Sequence, residues 1–155
     1  MEGRVEILNN ADYAGRMAEI EKSSQISPWS DRLIRECFAP NSRSNVLGYF
    51  DENCCLRGFL VYSVLLPESE LENISVEPSV QDQGIGTSLM KSYCDILERL
   101  ECEKSFLEVR VSNDRAIHLY SKFGYFKNGV RKKYYPCADG TREDAILMML
   151  ERSKK

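Results

Sequence analysis

Apolar residues along this chain follow two spacings. From Val46 to Phe50, and again from about Leu56 to Leu66, they run in short stretches rich in aromatic and branched side chains, parted by the turn Asp51-Glu52-Asn53. That arrangement predicts an antiparallel hairpin. From Leu89 through Met90, Tyr93, Ile96 and Leu97 to Leu100 the apolar positions recur at helical spacing, which predicts an amphipathic helix from Thr87 to about Leu100. Upstream, a short strand near Val5–Leu8 precedes a helix with Tyr13, Ala14, Met17 and Ile20 on one face, capped by Asn9 or Asn10 and ending near Ser23. Ser30 then caps a short helix carrying Leu33, Ile34, Cys37 and Phe38, which Pro40 stops. Further strands are predicted at about Leu71–Val76, Ser105–Val111, Tyr125–Tyr135 and Ala145–Leu150. Asn113 is placed to cap a helix with Ala116, Ile117, Tyr120 and Phe123 on one face, and Gly124 to end it. Strands first form a meander and then alternate with helices, so the fold class is α/β or α+β.

The connection between the strand ending Ile74-Ser75-Val76 and the long helix reads Gln81-Asp82-Gln83-Gly84-Ile85-Gly86-Thr87. At a helix start the first backbone N–H groups lack partners and the dipole is positive, so an anion satisfies both. Gly84 and Gly86 have no Cβ to hold that anion away from the backbone. An ordinary strand-to-helix turn remains the alternative. The loop lacks the Gly-Lys-Ser/Thr ending of one phosphate loop and the Gly-x-Gly-x-x-Gly of another.

Composition narrows the class. A length of 155 residues suits one domain, residues 1–155, with one core. With 24 acids against 21 bases and only Arg152, Lys154 and Lys155 loosely gathered, neither a nucleic-acid footprint nor a basic membrane patch is indicated. Charges at Glu2, Arg4 and Glu6 stand where a signal peptide needs an apolar run, and no window approaches a membrane span; a cytoplasmic protein is expected. The 6 cysteines form no Cys-x-x-Cys pair and have no neighbouring histidine set, so they are read as reduced, partly buried thiols and no metal site is expected.

Three pieces stand in one order: Ile74-Ser75-Val76, the loop Gln81-x-x-Gly84-x-Gly86, and Glu108 followed by Asn113-x-x-Ala116-x-x-x-Tyr120 with Phe123-Gly124-Tyr125. Together they resemble the Gcn5-related N-acetyltransferase (GNAT) superfamily. Pro28-Trp29-Ser30, Leu107-Glu108-Val109-Arg110, Arg131-Lys132-Lys133-Tyr134-Tyr135-Pro136 and Glu143-Asp144-Ala145-Ile146 are similar to its RimI-type branch, the ribosomal-protein alanine N-acetyltransferases. The resemblance implies a mixed sheet of about six to seven strands flanked by about four helices and splayed near an acetyl-CoA site. It implies that Gln81, Asp82, Gln83, Gly84, Ile85, Gly86 and Thr87 hold the pyrophosphate, that Ile74, Ser75 and Val76 bond the pantetheine arm through their backbone, and that Asn113 touches the CoA arm. Asp82 departs from the basic residue often found beside these glycines, placing a negative charge near the pyrophosphate.

The resemblance also implies a direct attack of an amine on the thioester, with Glu108 as general base and Tyr120 as general acid. Within an apolar strand Glu108 would be desolvated and a better base; a structural ion pair with Arg110 is the alternative. For Tyr120 the alternative is a core tyrosine with its hydroxyl bonded to a carbonyl. Trp29, Tyr134 and Tyr135 are candidates to line a peptide groove, or to pack around Pro136. His118 falls between the apolar positions of its helix and is read as exposed and idle. A free α-amine, with a pKa of about 7.7 to 8.0, is roughly a tenth neutral near pH 7, whereas Lys at about 10.4 is neutral in only about one molecule in 2,500. An α-amine therefore asks less of the base. The implied acceptor is the N terminus of a ribosomal protein beginning with Ala; a lysine, polyamine or other small amine, and a non-catalytic acyl-CoA-binding domain, are the competing readings. A monomer or weak dimer is expected.

Overall fold

The structure, a computed structural model, describes residues 3–152; Glu2, Lys154 and Lys155, named above for their charge, lie outside the described residues. Strands β1 (Arg4–Leu8), β2 (Ser44–Phe50), β3 (Leu56–Leu65), β4 (Glu68–Val76), β5 (Lys104–Arg110), β6 (Phe126–Pro136) and β7 (Arg142–Glu151) form a 7-stranded sheet of order β1-β2-β3-β4-β5-β7-β6. Helices α1 (Ala14–Ser24) and α2 (Asp31–Glu36) cover one face. On the other lie α3 (Ile85–Arg99) and α4 (Asp114–Lys122).

Local chemistry sets the helix starts. The Ser30 hydroxyl accepts from the Leu33 N–H at 3.1 Å, and the Asn113 side chain accepts from the Ala116 N–H at 3.2 Å, each satisfying a donor that its helix leaves open. Asn10 does the same for a 3-10 turn, Ala11–Tyr13, that leads into α1. Met17 and Ile20 of α1 and Ile34 of α2 bury against Phe59 and Val61 of β3. Leu89, Met90, Tyr93 and Leu97 of α3 bury against Leu60 and Tyr62, the residues of β3 that point the other way.

Some boundaries differ from the sequence expectation for identifiable reasons. Helix α3 begins at Ile85, earlier than Thr87, because Gly84 takes the left-handed conformation (φ 81°) and serves as its N-cap. Strand β4 begins at Glu68 because it is paired on both edges, with Leu65 opposite Glu68 on β3 and Lys104 opposite Glu68 on β5. Cys37 and Cys102 are buried, but Cys54 and Cys55 are exposed, carried out of the core by the β2–β3 turn, where Cys54 has φ 63°.

Two irregularities position the site. Tyr62 faces Leu71 and Val61 faces Asn73, so Glu72 is an extra residue in β4 without a partner on β3. Before it, Ser69 and Leu71 point towards α3; after it, Ile74 and Val76 do, while Ser75 turns towards α1. Meanwhile β4 and β5, the parallel pair, stay together only from Glu68 opposite Lys104 to Glu70 opposite Phe106. Beyond that they part. The closed end of this V is fastened by buried hydroxyls: Tyr93 shares hydrogen bonds with Ser69 (3.0 Å) and Ser105 (2.8 Å), and Ser105 with Tyr125 (2.6 Å). Ser69 and Ser105 are themselves opposite one another across the pair.

Candidate active site

The loop from Val76 to α3 is held by charge before it reaches the glycines. Glu77 pairs with Arg16 of α1 and with Arg57 of β3 (2.6 Å), accepts from Ser79 at 2.9 Å, and thereby joins α1, the sheet and the loop. These partners, Arg16 foremost, hold its carboxyl at a pKa of about 2. The first intrahelical bond of α3 runs from the Ser88 N–H to the Gly84 carbonyl at 3.0 Å. The amides of Ile85, Gly86 and Thr87 are therefore among those without helical partners, and all three residues line a groove of about 480 Å³. A Cβ on Gly84 would stand in space with no protein atom within 4 Å, and one on Gly86 would press on the Leu119 side chain at 3.1 Å. The loop thus offers an open, amide-lined cradle of the kind an anion fills.

Asp82 does not leave this cradle negative. It sits at φ 68°, a conformation that Asp tolerates, and Arg115 of α4 donates to its carboxylate at 2.8 Å. Arg115, His118 and Lys122, spaced three and four residues apart, line the groove wall facing the glycines. His118 is exposed, as the helical pattern requires, but it is a wall residue of the groove rather than a bystander. Ile74, Ser75, Val76, Gln81 and Asn113 line the same groove; Gln83 does not, since it lies on the outer side of the loop and is exposed.

A second groove, of about 180 Å³, opens where β4 and β5 separate. Glu108 enters it from β5 and Tyr120 from α4, on opposite faces of the sheet. Tyr120 is only 6% exposed, and its hydroxyl has no hydrogen-bond partner among the described residues, so the carbonyl-bonded alternative is not what the structure contains. Burial raises its pKa strongly, which keeps the proton on the oxygen at neutral pH. Glu108 is neither desolvated nor paired with Arg110. Its side chain is 26% exposed and its partner is Arg131 of β6, at 3.0 Å. Arg110 is instead buried against Glu143 (3.1 Å) and Ser27 (2.7 Å), with Tyr135 stacked 4.7 Å from its guanidinium. Trp29 and Tyr135 line this groove, whereas Tyr134 does not: it is 42% exposed and packs edge-on against Tyr135. The reason lies in β6, which slips register between Arg131 and Tyr135 and turns Lys133 to φ 50°. Two adjacent tyrosines thereby come to face different ways.

Residues 14–125 match the model of the acetyltransferase (GNAT) family. The chain belongs to that family. It is 39% identical over 132 residues to the ribosomal protein bS18-alanine N-acetyltransferase of Escherichia coli strain K12, covering 84% of this chain and 86% of the relative. With the enzyme of the same name from Haemophilus ducreyi it shares 32% identity over 147 residues, 94% of this chain and 98% of that one. The crystal structure of the Escherichia coli ribosomal-protein-S18-alanine N-acetyltransferase superposes with a TM-score of 0.89 at 33% identity, covering 99% of this chain and 96% of that one. Ard1 from Thermoplasma volcanium, 20% identical with a TM-score of 0.85, shares the fold. As a GNAT enzyme the chain is an N-acetyltransferase, and acetyl-CoA is the acyl donor of its family.

Four residues of this GNAT site, Gln25, Ile74, Asn113 and Ala116, line both grooves and so mark where the two meet. The sequence reading missed Gln25, Glu21 and the cations of α4. Arg115, His118 and Lys122 did leave a signal, since they share one stripe of a helix already predicted. Gln25 left none, because it lies just past the end of α1 and its importance comes from contact with β4.

Proposed function

We propose that this protein transfers the acetyl group of acetyl-CoA to the N-terminal α-amine of a protein, and that its acceptor is a ribosomal protein beginning with alanine. One observation carries the reading: a carboxylate and an unpartnered tyrosine hydroxyl enter the same groove from opposite faces of the sheet, at its junction with an anion cradle. Both named relatives bear the corresponding activity over most of their length. The donor and acceptor are drawn as proposals from that likeness, with the chain acting as one cytoplasmic domain.

The residues present fit the donor. Ile85, Gly86 and Thr87 hold the pyrophosphate on their amides, with Arg115 and Lys122 adding charge, and β4 beyond Glu70 offers backbone groups not engaged by β5 to the pantetheine arm. When bound, acetyl-CoA supplies the thioester carbon that the amine attacks. Glu108 takes the amine proton, directly or through a water, and Tyr120 gives its proton to the departing sulfur. None of this needs a cysteine nucleophile: Cys137, the thiol nearest these elements, donates to Glu143 at 3.6 Å and does not line either groove.

Mass spectrometry tests the acceptor. Peptides with a free N-terminal Ala, and matched peptides with a blocked N terminus and an internal Lys, are incubated with enzyme and acetyl-CoA. An acetyl gain of about 42 daltons only on the free α-amine is expected. Gain only on Lys would replace the α-amine reading with a lysine one.

A further inference from the structure

Beneath the junction of the two grooves lies a hydrogen-bond chain that runs in one direction. Glu21 of α1 is 1% exposed and its carboxylate receives the Trp29 N–H (2.9 Å), the Asn73 amide (2.9 Å) and the Ser75 hydroxyl (2.6 Å). An ionised carboxylate only accepts, so the single hydroxyl proton of Ser75 is committed to Glu21. The Ser75 oxygen is left as an acceptor, and what it accepts is the Gln25 side-chain N–H at 2.8 Å. The Gln25 nitrogen also donates to the Ile74 carbonyl at 3.0 Å and faces the Asn73 oxygen at 3.4 Å, two further groups that can only accept there.

The orientation of the Gln25 amide is therefore dictated rather than assigned. Turning it over would set its oxygen against a carbonyl and against an oxygen whose proton is spent. With its nitrogen fixed on β4, its oxygen lies on the far side of the amide carbon, away from the strand. No described residue donates to that oxygen, and Gln25 borders both grooves.

We propose that the Gln25 side-chain oxygen accepts a hydrogen bond from the acceptor's attacking amine, and that Glu21 is the positioning residue that fixes its direction. This rests on the acetyltransferase reading above. An amine with one N–H held by Gln25 and another facing Glu108 keeps its lone pair free for the thioester, which is the geometry attack requires. The same carboxylate, through the Trp29 N–H, also fastens the loop that forms one wall of the acceptor groove. One buried acid thus holds a wall and orients a ligand.

The test is steady-state kinetics on whichever amine the wild-type enzyme acetylates, so that a wrong acceptor is exposed by the wild type and a wrong role for Gln25 only by the variants. Gln25→Leu keeps the side chain's bulk and removes the oxygen; the acceptor KM is expected to rise roughly threefold to tenfold. Acetyl-CoA affinity by calorimetry is expected to stay within about twofold. Glu21→Gln keeps the shape but adds a donor, which releases the Ser75 proton and frees the Gln25 amide to turn; the acceptor KM is expected to rise here also. The double variant is expected to match Gln25→Leu alone, because once the oxygen is gone its orientation no longer matters. If Glu21→Gln does not fold, Ser75→Ala replaces it in the cycle. An unchanged acceptor KM in Gln25→Leu, a loss confined to acetyl-CoA binding, or additive effects in the double variant would each overturn the proposal.

Discussion

Arg131 holds the Glu108 carboxylate at 3.0 Å, while Arg110, two residues along the same strand, is turned to Glu143 and Ser27. The proton acceptor of the site therefore rests against a cation from the edge strand β6. An incoming amine must share or displace that cation. Because the Arg131 side chain is 55% exposed, the pair is weak, so Arg131→Ala is expected to lower the acceptor KM by about twofold to fivefold with little change in kcat. A raised KM would show that Arg131 assists acceptor binding instead of competing with it.

Tyr120→Phe separates chemistry from structure with unusual clarity, since the hydroxyl has no protein partner to lose. Turnover is expected to fall by roughly 10²-fold or more. Stability is expected to stay within about 0.5 kcal/mol in urea denaturation, a change typical of a substitution that breaks no contact. A large stability loss would reveal a hidden bond to the hydroxyl.

Asp82→Asn releases Arg115 while keeping a side chain that tolerates φ 68°. Acetyl-CoA binding is expected to tighten by about twofold to fivefold, the scale of an exposed ion pair, and the gain is expected to shrink as salt is raised. Calorimetry at low and high salt reads both. Asp82→Arg would confuse the result, because a long side chain is strained in that conformation.

Gly86→Val is expected to weaken acetyl-CoA binding before it affects the fold, since the added branch presses on Leu119 and enters the cradle. Calorimetry and thermal melting, run side by side, separate the two. Gly84→Ala acts differently: its Cβ meets nothing, so the cost is that of the left-handed conformation, about 1 kcal/mol of stability.

Glu77 makes stability depend on acid. Its carboxyl has an ordinary pKa of 4.5 and titrates at about 2 in the fold, chiefly because of Arg16. A lowered pKa means stability present above pH 4.5 and lost as pH falls towards 2. Melting temperatures of wild type and Glu77→Gln are expected to differ most at neutral pH and to converge near pH 2. A gap that persists at low pH would show that the loop is held by shape rather than by charge.

Much of this site was legible before any coordinates. The strand Ile74-Ser75-Val76, the Gly84 and Gly86 turn and the Asn113 cap are local signals, each set by a few neighbouring residues, and all lie where the pattern placed them. Glu108 and Tyr120 were also found, but not their surroundings. Alternation along β5 puts Glu108 and Arg110 on one face, which suggested a pair; what separates them is Arg131, brought over Glu108 by a strand distant in sequence. Likewise the slip in β6 that parts Tyr134 from Tyr135, and the buried Glu21 beneath Gln25, depend on contacts between distant segments. A buried Glu on a helix that reads as ordinary and amphipathic has no local mark to betray it.

The extra residue at Glu72 gives β4 two incompatible alternations joined end to end. Removing it would restore one continuous frame and invert everything downstream: Ser75 would leave Glu21 for the apolar side, and Ile74 and Val76 would exchange faces with it. Removing two residues there would keep the frame and shorten the strand. Chain length between Leu71 and Ile74 is thus constrained by parity more than by size, and a one-residue deletion in an exposed-looking stretch is expected to cost more than a two-residue one.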